Sequence, residues 1–345
     1  PVSLSELTFY GTRLFSIAGT QTISLSGAAT IRSENARVGS PLTPFGLGGL
    51  ISAPIQSAAG VTISGGGTVT LQNSARVYTG PTRVVGGALV LSSFGPSQSM
   101  TLDNGTFRLR KTNSLVLTNT PFELLTGGGT IRVADDSPSS NPQSGTLRLN
   151  GPIFGQGGLR FGGIPVGFNL EGQVVLNDSN PAPTNISYTG ATTIEFANVL
   201  LTGQTRLATS SSILISGGSL ICDNASAASP SNRLGNIPLT LRAGRLIVDF
   251  GTRSTAPPES IGLIHLDGGR SVIEVNRRRR ANGSGRRHCP QSRRNAYAHV
   301  HSRTDSRRIS ARRIAAGDGR RRRRCRLDEH ERRSLGYRDF RDVEL

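Results

Sequence analysis

The sequence predicts an all-β protein, a right-handed parallel β-helix or solenoid of short strands over residues 1–276, followed by a disordered Arg-rich tail over residues 277–345. Three observations predict it. The chain is poor in the large residues that fill a thick core, short runs alternate apolar and polar with period two, and glycine returns at intervals near 20 residues.

The composition sets the frame. With 43 Gly, 18 Pro, one Met, no Trp and 5% aromatic residues, the chain lacks most of the side chains that supply buried area in a globular core. Val, Ile, Leu and Ala remain, and they suit many thin apolar layers. The strands follow in order: Thr68-Val-Thr-Leu71, Ala88-Leu-Val-Leu91, Thr106-Phe-Arg-Leu109, Thr130-Ile-Arg-Val133, Thr146-Leu-Arg-Leu149, Ile213-Leu-Ile215, Leu239-Thr-Leu241 and Leu246-Ile-Val-Asp-Phe250. Each reads as about four strand residues, and a sustained helical spacing of apolar residues is almost nowhere found.

Gly65, Gly86, Gly105 and Gly127 stand 21, 19 and 22 residues apart. A unit of that size cannot bury its own apolar face, so it has to stack on its neighbours, each rung bonding to the next. Glycine supplies the positive-φ corners. A set of antiparallel sandwiches is the competing all-β reading, because turns every 8–12 residues also fit some segments.

Certain of these residues carry a resemblance. Gly65-Gly-Gly-Thr-Val-Thr-Leu71, then Tyr78-Thr-Gly80, Thr82 and Val84-Val-Gly-Gly-Ala-Leu-Val-Leu91 resemble the autotransporter-associated β-strand repeat. Gly172-Gln-Val-Val-Leu176, Tyr188-Thr-Gly190 and Thr192-Thr-Ile194 resemble a second copy, although Ala197-Asn-Val-Leu-Leu201 replaces its final Gly-Gly strand, and Pro81 departs from the first. Asn232-Arg-Leu-Gly-Asn236, Leu239-Thr-Leu241, Gly244-Arg-Leu-Ile247, Gly262-Leu-Ile264 and Leu266–Ile273 are similar to the strands that flank such repeats. The resemblance covers about residues 55–276. It implies a passenger segment of an exported bacterial surface protein, at the cell surface or outside the cell, with an adhesive or stalk-like role. It also implies a translocator barrel, of which this chain shows no strand pattern.

The net charge of +18 is unevenly placed. Residues 277–345 hold 23 Arg and no Lys against 8 acidic groups, a net +15, while residues 1–276 are close to neutral at +3. The tail, from Arg277-Arg-Arg-Arg280 to Arg320–Arg324, reads either as a basic arm that neutralises phosphates or other polyanions or as an out-of-frame translation of a GC-rich gene. Four of the five His residues fall in it, and the strand alternation stops where it begins. It carries no motif of a specific nucleic-acid reader. Cys222, Cys289 and Cys325 are too few and too widely spaced for a disulfide framework or a zinc site. The chain opens at Pro1, and the expectation is an internal piece of a longer protein. It has no apolar run of membrane-helix length.

No catalytic, cofactor or metal site is expected. The adjacent acids Asp135-Asp136 lead into a Ser/Pro/Asn loop and read as a solvated turn. His265, in Leu263-Ile-His-Leu266, alternates away from its apolar neighbours, and Cys222 in Leu220-Ile-Cys222 reads as a small buried strand residue. The alternative, a β-helix polysaccharide lyase or hydrolase, requires acids to converge, for example Asp135 or Asp136 beside Glu171 or Asp178. The preferred expectation is a structural or adhesin-like segment that is not an enzyme, with cell-surface or extracellular polysaccharide as the partner class.

Overall fold

The computed structural model describes residues 2–11, 14–34, 48–72, 78–94, 99–111, 115–135, 145–162, 172–178, 186–225, 229–251, 259–277, 294–301 and 307–310. Among the described residues there are 26 strands and no helix. Eighteen strands form one sheet and eight a second. The strands stack in parallel from rung to rung, so the chain is a parallel β-solenoid and the antiparallel sandwich is excluded.

The core is a set of columns. In the larger sheet the register runs Val69, Leu89, Phe107, Ile131, Phe161, Ile194, Ile215, Leu241, Leu266, and none of the nine is more than 3% exposed. A second column, Leu147, Val174, Val199, Leu220 and Leu246, runs up the smaller sheet beside Leu149, Leu176, Leu201, Cys222 and Val248. The period-two alternation of each short strand therefore becomes one buried stripe once rungs stack. Full burial of one such aliphatic side chain contributes about 1.5–3 kcal/mol. Phe107 and Phe122 pack with Phe94 at ring separations of 5.1 to 6.2 Å and thicken the core there.

The rungs are not uniform. Partners in the larger sheet's column lie 18 to 33 residues apart, so the 20-residue unit holds near Val69–Phe107 and later rungs carry longer loops. Strands also exceed four residues: Val61–Leu71 and Thr82–Leu91 run 11 and 10 residues. They do so because Gly65 and Gly86, partners in register at φ +89° and +78°, let the strand bend without ending. Gly105 stacks on Gly129 rather than Gly127.

The two ends differ. At one, Tyr10, Leu14 and Phe15 are 69, 53 and 42% exposed. At the other, Arg294–His301 pairs antiparallel with Arg270–Arg277, and Arg307–Ser310 with Leu263–Leu266. Sequence reading expects no strand in this Arg-rich segment. An open rung edge offers unpaired backbone donors and acceptors, and backbone pairing asks little of side-chain identity. The rest of the tail lies outside the described residues.

Candidate functional site

The residues expected to bear on catalysis are placed as follows. Asp135 ends the strand Gly129–Asp135 of the larger sheet, and Asp178 ends Gln173–Asp178 of the smaller one. Asp136 and Glu171 lie outside the described residues. His265 faces away from Ile264 and Leu266, which are each 3% exposed, and is itself half-buried. Cys222 is fully buried between Leu201 and Val248 in the apolar column, and burial raises its thiol pKa well above the usual range, which removes it from thiolate chemistry. Among the described residues, no three His, Cys, Asp or Glu side chains are grouped to hold a metal ion.

Charge gathers in the interior elsewhere, at a corner built from Asn232-Arg-Leu-Gly-Asn236. This segment is a turn and not a strand: Asn232 has φ +53° and Gly235 φ +62°. The turn sends Arg233 inward, where it is 0% exposed, beside the equally buried Asn224 and Glu259. Every N–H direction of the guanidinium is used. Nε donates to Asn224 Oδ1 at 2.6 Å, Nη1 to Thr205 O at 2.7 Å and Thr202 O at 3.4 Å, and Nη2 to Gly203 O and Asp223 O, both at 2.8 Å.

Glu259 completes the cluster without touching the guanidinium directly. Its Oε2 accepts from Asn224 Nδ2 at 3.1 Å and its Oε1 from Leu234 N–H at 2.8 Å. Burial pushes the Glu259 carboxyl pKa up, opposed by those two hydrogen bonds and by the Arg233 charge, and burial lowers the Arg233 pKa. The carbonyls that Arg233 collects belong to the ends of two successive rungs, Asn198–Gly203 and Ser219–Asp223. These carbonyls point into the corner, where the sheet ladder does not reach them, and an unpaired buried carbonyl costs about 1–3 kcal/mol. The arrangement binds rung to rung. It offers no exposed acid or base to a substrate.

Two further buried polar groups answer to sequence. In Tyr78-Thr-Gly80-Pro-Thr82 the phenol of Tyr78 hydrogen-bonds Thr82 Oγ1 at 2.9 Å, and in Tyr188-Thr-Gly190-Ala-Thr192 the phenol of Tyr188 hydrogen-bonds Thr192 Oγ1 at 2.6 Å. All four side chains are buried. In both corners the glycine touches the previous rung's backbone: a Cβ would lie 2.1 Å from Gly60 N at Gly80 and 2.3 Å from Gly158 N at Gly190.

Exposed acids are spent on rung-to-rung pairs. Arg83–Asp103 at 3.3 Å, Arg160–Glu195 at 3.1 Å, Arg242–Asp267 at 2.5 Å and Arg245–Glu274 each join an arginine to an acid of the following rung. Sequence reading missed the Arg233 cluster. The signal was local, an Arg held inside an Asn-Arg-Leu-Gly-Asn turn, but its acceptors lie 9 to 31 residues away.

Fold and corners together define a parallel β-solenoid stiffened by buried polar locks. No known protein family, no curated protein and no solved structure matches the chain.

Proposed function

We propose that this chain is a structural, adhesin-like passenger segment of an exported bacterial surface protein, presenting a long stacked surface and performing no catalysis. The observation that carries the reading is the Arg233 cluster: the largest buried charged side chain spends all its donors on the ends of neighbouring rungs. That is the expected use of charge in a stalk, whose function is length and stiffness. The two Tyr-Thr-Gly corners support it, because the residues that carry the resemblance to the autotransporter-associated repeat make the same local structure twice.

The test is display of the whole chain on a bacterial surface, followed by attachment to glycan-coated and bare supports, with the same glycans assayed for chain cleavage. Attachment without cleavage is the expected result. Release of shortened or unsaturated glycan would overturn the reading in favour of a carbohydrate-active enzyme.

A further inference from the structure

Three arginines crowd one outer face of the larger sheet. Gly105–Lys111 and Gly129–Asp135 pair over seven residues in unbroken register. Phe107, Leu109, Ile131 and Val133 fill the interior, so Arg108, Arg110 and Arg132 alternate to the outside. Arg108 and Arg132 are direct partners across the rung step, about 4.8 Å apart at the backbone, and Arg110 lies about 6.6 Å further along its strand. The next rung adds Arg160, in register with Thr130 and 51% exposed. Thr106 and Thr130 stand in the same outward column.

The acids around this face are few. Glu195 is bonded to Arg160, Asp103 to Arg83 on the adjoining strip, and Asp135 is in register with Lys111. Arg108, Arg110 and Arg132 also interact within the chain. What sets the patch apart is the pairing: elsewhere on the outer surface an arginine meets an acid on the following rung, whereas Arg108 meets Arg132. Like charges directly opposite in a sheet are unfavourable, and an anion bridging the two guanidiniums reverses the sign of that interaction.

We infer that this face binds a carboxylate-bearing glycan. The forked guanidiniums of Arg108, Arg110 and Arg132 engage its carboxylates, for which their planar geometry is suited, and the Thr106 and Thr130 hydroxyls meet its sugar hydroxyls. The inference rests on the surface-scaffold reading and names its partner class. A glycan is favoured over single-stranded nucleic acid because no outward residue of these strands is aromatic, which leaves bases nothing to stack on.

The experiment uses the full chain with oligogalacturonate, its methyl ester and single-stranded DNA as probes, at low and physiological salt. The acidic sugar is expected to bind, the ester not, and affinity to fall with salt. Arg108→Gln with Arg132→Gln should weaken binding about tenfold or more, while Arg242→Gln, on an exposed pair of a distant rung, should leave it unchanged. The tail is present in every variant and cancels in the comparison. Hydrogen exchange on the unmodified chain should show protection by the sugar in residues 105–110 and 129–133, a readout independent of how well the double variant folds. Absent binding, absent protection, a double variant that binds like the parent, or an equal loss for DNA would each overturn the inference. Surface attachment that survives in the double variant would leave the scaffold reading standing and remove only this partner.

Discussion

The stretch from Val61 to Leu124 and the stretch from Ile186 to Leu266 are built from the same kind of rung and held in different ways. In the first, strands of 10 and 11 residues run through the bend at Gly65 and Gly86, so the ladder itself satisfies the backbone, and Phe94, Phe107 and Phe122 thicken the core. In the second, strands run four to six residues, and the corners between them leave carbonyls that Arg233 must collect. Both contain a Tyr-Thr-Gly corner with the same hydrogen bond. After it, however, Thr82 enters the register of Met100 and Phe122, whereas Thr192 enters that of Leu159 and Gly129, a different face of the rung. A solenoid can thus reuse a corner and shift its place, provided the backbone groups it frees find another partner.

Substitutions can separate the two modes. Arg233→Met should have the largest effect, about 3–5 kcal/mol, because it leaves Glu259 and a set of carbonyls buried without their donor; hydrogen exchange should open in 198–223 before 82–109. Phe107→Ala should cost about 3–5 kcal/mol as well, with the opposite pattern, opening 82–133 first. Similar exchange patterns for the two variants would mean that the stretches unfold as one and that the comparison is false.

Acidity gives a third handle. Folding raises the Glu259 pKa, so the folded state holds that proton more tightly than the unfolded chain. Its contribution to stability is greatest at acidic pH and falls as pH climbs from the unfolded carboxyl value through the raised folded one. Glu259→Gln should lower the melting temperature at every pH and flatten that decline. A slope unchanged in the variant would mean that the titration belongs elsewhere.

Tyr78→Phe and Tyr188→Phe should each cost about 1 kcal/mol, the price of one buried hydroxyl bond. Tyr188→Phe should be the larger of the two in urea unfolding, since Thr192 passes its bond on to Ser210 at 2.9 Å, and Ser210 in turn donates to Gly190 O at 2.9 Å. Smallest of all, Arg242→Gln should leave the melting temperature where it is, since its pair with Asp267 sits in solvent.

Most of the fold was legible because strand alternation and glycine spacing are local properties. Val69, Leu89 and Phe107 announce an inward face within three residues of chain, and stacking follows because no single rung can bury it. The same holds for Cys222 and His265, whose side of the strand is set by parity alone. The Gly127 spacing misled, since register is fixed by hydrogen bonds between rungs and these align Gly105 with Gly129. The Arg233 lock was not legible, because a buried guanidinium is decided by acceptors that chain sequence scatters over 31 residues.

The sequence by itself determined a β chain of stacked rungs, apolar columns inside and Thr, Ser and Asn outside, since side-chain alternation and glycine corners need only near neighbours. The tertiary structure alone decided which corner faces which sheet, that Arg233 and not a hydrophobic residue closes the corner beside Asn224, and that Arg108 comes to stand opposite Arg132. Those outcomes depend on rung length, which varies from 18 to 33 residues, and a loop of unfixed length gives the sequence no local means of specifying what it will meet.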